Sequence, residues 1–85
     1  MRIRCKLVVE GPGPSEAVVA VKTARGPLEE VVVYTGLLQN EQLEVGPFLG
    51  SRDGQTLIEL PRESASGRWR IWVPNSEVIK EREVA

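Results

Sequence analysis

Two stretches of the chain, residues 55–60 and 68–73, alternate with a period of two, and only one way of folding them together satisfies both. In the later stretch Trp69, Ile71 and Val73 share one face, and Arg68, Arg70 and Trp72 share the other. In the earlier stretch Ile58 and Leu60 lie opposite Leu57 and Glu59. An antiparallel hairpin that sets Leu60 against Trp69 and Ile58 against Ile71 brings the apolar faces together. The outer face then sets Glu59 against Arg70 and Leu57 against Trp72. A slip of one residue would set Leu60 against Arg68 and turn every side chain to the wrong face. The pattern predicts a sheet with Trp69, Ile71 and Val73 turned inward.

The rest of the chain carries the same two-residue rhythm. Residues 2–10 alternate, with Ile3, Cys5, Leu7 and Val9 on one face and Arg2, Arg4 and Lys6 on the other, which predicts a half-buried strand. Gly11-Pro12-Gly13-Pro14-Ser15 ends it, because prolines cannot donate to a ladder. Residues 16–23 and 28–35 read as strands with valines on both faces, as in strands covered on both sides, and Ala24-Arg25-Gly26-Pro27 marks a turn between them. Residues 36–42 read as a loop or one helical turn. Leu43, Val45, Phe48 and Leu49 make a short strand that Pro47 pushes toward an edge or a bulge. Gly50-Ser51-Arg52-Asp53-Gly54 is a turn, since Asp-Gly tolerates positive φ. Pro74-Asn75-Ser76 stops the last long strand, and Asn75 or Ser76 caps a short helical turn with Glu77 near its positive end. Val78 and Ile79 return to the core, and residues 80–85 are expected to fray. Residues 1–85 thus form a single mainly-β domain. The expected fold is a small barrel or sandwich of about five to seven short antiparallel strands with at most one short helical turn.

The strand carrying Trp69, followed by Val73-Pro74-Asn75-Ser76-Glu77-Val78, resembles the end of Src-homology-three-like barrels. There a tryptophan-bearing strand leads through a Pro-Ser-Asn-aromatic-Val turn into the last strand. The resemblance covers roughly ten residues. Here Asn precedes Ser, and Glu77 takes the aromatic position. The resemblance implies the barrel, which is the favoured architecture, and carries over no peptide-binding residue.

Composition excludes several kinds of chemistry. There is no histidine and one cysteine, so no Ser-His or Cys-His pair and no thiolate or imidazole metal site can be built from this chain. Cys5 falls on the apolar face of its strand and reads as a small buried hydrophobe. Glu29 and Glu30 are adjacent on a strand, so they point to opposite faces and cannot share a proton. Asp53 is explained by its turn. Gly11-Pro12-Gly13-Pro14 lacks the lysine and the N–H donors of a phosphate loop. No catalytic residue, cofactor-binding residue or metal ligand is assigned, and no cofactor is expected. No apolar run approaches the ~20 residues of a membrane span. The alternating N-terminus reads as a strand rather than a signal peptide, so a cytoplasmic setting without a membrane partner is expected.

Net charge is −1, without the strongly basic balance of most nucleic-acid binders. The charge is uneven: residues 1–25 sum to +3, residues 26–61 to −5 and residues 62–85 to +1. The candidate interaction surface is Leu57, Arg68, Arg70 and Trp72, joined by Arg2, Arg4 and Lys6 if the two arginine-bearing strands come together. Trp and Arg are the commonest anchors of protein contacts. The same face also serves to stabilise its own hairpin, with Glu59 neutralising Arg70 and Leu57 covering Trp72. The expected function is a non-catalytic protein-interaction or assembly module, binding a protein partner or a second copy. The alternatives are a single-stranded nucleic-acid-binding barrel using Arg2, Arg4, Lys6, Arg68, Arg70 and Trp72, and an accessory subunit of an enzyme. An enzymatic role would need a hollow beside Glu29, Glu30, Glu41, Glu44 or Asp53.

Overall fold

A computed structural model of the chain describes residues 1–26 and 28–79. Among these residues the fold is mainly β, in ten short strands. They are β1 (Arg2–Arg4), β2 (Lys6–Glu10), β3 (Glu16–Val21), β4 (Glu29–Tyr34), β5 (Leu38–Gln39), β6 (Gln42–Glu44), β7 (Phe48–Arg52), β8 (Gln55–Glu59), β9 (Arg70–Pro74) and β10 (Val78–Ile79). All pairings are antiparallel, in three small sheets ordered β10-β1-β6-β5, β2-β3-β4 and β7-β8-β9. No helix among the described residues is long and apolar enough to cross a membrane.

Two bends carry the chain from sheet to sheet. β1 runs into β2 across Cys5, and β6 runs into β7 across residues 45–47, where Pro47 interrupts the single strand expected from Leu43 to Leu49. Single backbone hydrogen bonds secure these bends and bridge from one sheet to the next. Cys5 N–H donates to Glu41 O at 2.9 Å, Gly46 N–H to Glu59 O at 2.9 Å, Ala24 N–H to Trp72 O at 2.9 Å and Ala65 N–H to Glu30 O at 2.8 Å. Among the described residues, no continuous strand ladder closes the three sheets into one barrel.

The hairpin register read from the alternation is the one observed: Glu59 faces Arg70, Leu57 faces Trp72 and Ile58 faces Ile71 across β8 and β9. Ile58, Leu60, Ile71 and Val73 are buried as expected. They join Ile3, Val19, Val21, Val31, Val33 and Leu43 in one core cluster. Each fully buried side chain of this size contributes about 1.5–3 kcal/mol relative to exposure.

Trp69 departs from the pattern. It was expected inside, yet it is 50% exposed. The backbone still follows the register, since Leu60 N–H donates to Trp69 O at 2.7 Å. The strand itself begins only at Arg70, so the pleat no longer dictates where residue 69 points. The indole N–H instead donates to Glu63 Oε2 at 3.0 Å, a partner the apolar core does not offer.

The alternation of residues 2–10 also fails halfway. Ile3 and Cys5 are buried, but every residue of β2 is exposed. The ladder accounts for Val9: Leu7 faces Val19 and Val9 faces Val18, so Val8 is an extra residue, a β-bulge, whereas Leu7 stands beside Val19 on the edge strand of its sheet and is still 59% exposed. Val18 and Val19 point to opposite sides of β3, so the bulge places Leu7 and Val9 on opposite faces. Likewise, one side of β3 and β4 is fully covered, and on the other only Ala20 is buried. Val19, Val21, Val31 and Val33 are buried, while Val18 and Val32 stay partly exposed.

Turns follow local chemistry. Asp53 and Gly54, both at positive φ, make the two-residue turn between β7 and β8, so the expected turn at residues 50–54 shortens and β7 reaches Arg52. Asn40 (φ 51°) and Glu41 (φ 61°) do the same between β5 and β6. Two single 3₁₀ turns form, Thr35–Leu37 and Asn75–Glu77, where at most one helical turn was expected. In the β2–β3 hairpin a Cβ on Gly11 would stand 2.6 Å from the Glu16 carbonyl carbon, so only glycine fits. Arg62 clamps the long loop before β9 to that hairpin. It meets Glu16 Oε2 at 2.7 Å, and its guanidinium lies over the Tyr34 ring, 4.7 Å from the centroid. Pro27 and the expected fraying of residues 80–85 lie outside the described residues.

Candidate interaction surfaces

The outer face of β8 and β9 carries Leu57 and Trp72 side by side, both partly buried. Glu59 and Arg70 are cross-strand neighbours, but no ion pair joins them among the described residues, and Arg70 is exposed. The Trp72 ring has a different cover from the one expected. The Arg52 guanidinium lies over it, 4.1 Å from the centroid, while Arg52 Nε donates to Gln55 Oε1 at 3.3 Å. Register makes this stack: Arg52 faces Gln55, Gln55 faces Pro74, and Trp72 is two residues along the same face.

Trp72 forms one wall of a groove of about 490 Å³, lined also by Arg25, Arg52, Arg68 and Glu29. The groove lies between β9 and the segment after β3, held there by the bond from Ala24 to Trp72. Arg25 sits on a bend closed by Gly26 N–H donating to Thr23 Oγ1 at 3.1 Å. Glu29 is 8% exposed. It accepts from Ser66 Oγ at 2.6 Å and lies 3.9 Å from Arg68 Nε. Glu30, its neighbour, is exposed on the opposite face, as adjacent strand positions require. Glu29 is the one carboxylate lining this groove among the described residues.

The N-terminal cations are elsewhere. β1, which carries Arg2 and Arg4, pairs with β6 and β10, and β2, which begins at Lys6, pairs with β3, whereas β9 pairs with β8, so none of the three shares a sheet or a hollow with Arg68 or Arg70. Arg2 meets Glu44 Oε2 at 3.3 Å. Arg4 and Lys6 line a separate hollow with Cys5, Lys22, Leu28 and Glu77. Cys5 is buried and free; burial, and then the nearby Glu41 carboxylate, push its thiol pKa up. Among the described residues no three Cys, Asp or Glu side chains gather as a metal site.

A second surface was not read from the sequence. On the solvent face of β2–β3–β4, Val9, Val18 and Val32 face one another in a row across all three strands. The next pair on that face is Glu16 with Tyr34, over which Arg62 lies. On the other side stand Lys6, Ala20 and Glu30. Val9 and Tyr34 are 56% and 55% exposed. The result is an apolar stripe rimmed by charge. The signal in the sequence was the doubled valines at 18–19 and 31–33, but without the bulge at Val8 the stripe could not be assembled. Comparison with protein-family models, with curated proteins and with solved structures finds no match to this chain.

Proposed function

We propose that the chain is a non-catalytic protein-interaction module whose contact surface is the solvent face of β2–β3–β4. The observation that carries this reading is the Val9-Val18-Val32 row with Tyr34 at its end, rimmed by Lys6, Glu16, Glu30 and Arg62. An apolar centre within a polar rim is the anatomy of protein interfaces. Leu7 and Val8 extend the exposed apolar surface around the edge of the same sheet. The partner is a protein, either a second copy or a different chain. A cytoplasmic setting accompanies this reading, with Cys5 remaining a thiol.

The same reading takes the three sheets as sections of one small Src-homology-three-like barrel. Its support is the two chain bends that carry one sheet into the next and the backbone bonds from Ala24 to Trp72 and from Ala65 to Glu30, which bridge gaps between ladders.

The test compares the wild-type chain with Val9→Glu and Val32→Glu. Self-association is read by sedimentation, and association with other proteins by affinity capture followed by titration of the purified partner. Both variants should remain folded by circular dichroism and lose the association by tenfold or more. A monomer that holds no partner, or association indifferent to both substitutions, refutes the reading.

A further inference from the structure

We propose that the groove beside Trp72 binds the phosphate of a small phosphate-bearing ligand through Arg25, Arg52 and Arg68. The argument begins with charge. Three guanidiniums line the groove against one carboxylate, Glu29, which leaves two uncompensated positive charges in a chain whose net charge is −1. Glu29 is already engaged by Ser66 and approached by Arg68, so Arg25 and Arg52 have no acid facing them among the lining residues. Like charges gathered in one hollow repel, and an oxyanion of charge near −2 relieves that repulsion.

Geometry supports the choice of phosphate. All three cations are arginines, whose planar forks match phosphate oxygens in pairs. Arg52 is held in place: its plane rests on Trp72 and its Nε is bound to Gln55, which leaves its two terminal nitrogens for a ligand. Arg68 is anchored at its backbone, where its N–H donates to Ser64 Oγ at 3.1 Å, while its side chain is 67% exposed. Arg25 rides on the closed bend at residues 23–26 and has no partner among the described residues. The volume, about 490 Å³, falls within the range of small-molecule sites.

A nucleic-acid strand fits less well. Stacking of a base needs a free aromatic face, and Arg52 already occupies one face of the Trp72 ring. A strand also needs a track of cations, and Arg2 and Arg4 lie on the β1 sheet and Lys6 on the β2 sheet, away from this groove.

The experiment titrates the full chain with inorganic phosphate and with phenyl phosphate at constant ionic strength. Calorimetry is one readout. Emission of Trp72 in a Trp69→Phe background is the other. Sodium acetate and sodium chloride are the controls. Saturable binding of either phosphate is expected, weakened about tenfold by Arg25→Gln or by Arg52→Gln, since a charge-assisted contact is lost in each. Arg70→Gln, one residue outside the groove, should leave binding unchanged. Tighter binding of phenyl phosphate identifies an ester as the ligand; tighter binding of inorganic phosphate identifies the free ion. Arg68 is left in place because its removal would strip Glu29 of its cation. Absence of binding overturns the proposal. So does an equal response to acetate or chloride, or an equal loss in Arg70→Gln and Arg52→Gln.

Discussion

Replacing Glu41 by glycine isolates a strained position in the β5–β6 turn. Glu41 sits at φ 61°, in the left-handed region, directly after Asn40 at φ 51°. A residue with a side chain there costs about 1–2 kcal/mol relative to its right-handed conformation. Glycine removes that cost but adds about 0.5–1 kcal/mol of unfolded-state entropy to be lost on folding. The bond that locks the turn to the core is a backbone one, from Cys5 N–H to Glu41 O at 2.9 Å, so glycine keeps it. Asn-Gly is also the preferred pair for this turn. The net expectation is stabilisation by about 0.5–1 kcal/mol, a rise in Tm of roughly 2–8 °C for a domain of this size. Scanning calorimetry at neutral pH, with urea titration as a check on constant m, measures it. A Tm that falls would refute the reasoning, because it would mean that the Glu41 side chain contributes more than its backbone strain costs.

Ile58→Ala removes a fully buried side chain that packs in the core cluster, and should cost about 2–5 kcal/mol, read as a lower urea midpoint. Gly11→Ala forces a methyl group against the Glu16 backbone; the Tm should fall, and amide chemical shifts should move chiefly in residues 9–17. Cys5 should react slowly with a thiol reagent in the folded chain and fast in urea, since burial and Glu41 hold its proton. The folded thiol releases that proton at higher pH than the unfolded one. Its contribution to stability is therefore complete below the ordinary thiol value of 9.0 and declines as pH rises past it, which alkaline denaturation of wild type against Cys5→Ala would show.

The hairpin of β8 and β9 was legible because its two strands alternate strictly, and strict alternation admits one register. Trp69 was misread for a local reason: parity holds only within a pleated strand, and β9 starts one residue later. Val9 was misread because a bulge leaves no mark in a run of apolar residues, and Leu-Val-Val reads the same with or without an extra member; Leu7 is exposed on the edge strand, whose place in the sheet local alternation does not give. The groove around Trp72 was half visible. Arg68 and Trp72 were singled out, whereas Arg25 and Arg52 come from a bend and from a third strand whose approach depends on tertiary structure. Arg2, Arg4 and Lys6 alternated as read, but which sheet receives a terminal strand is decided by pairing partners far along the chain.

The irregularity at Val8 has a further consequence for how copies of the chain behave at high concentration. Lys-Leu-Val-Val-Glu, laid flat at the margin of a sheet, would be a template for unlimited stacking into fibres. A kink in the middle of that segment denies a newcomer a straight row of donors and acceptors. Deleting this one valine would straighten the margin and open it to edge-to-edge pairing, which thioflavin fluorescence of the deletion variant against wild type would report.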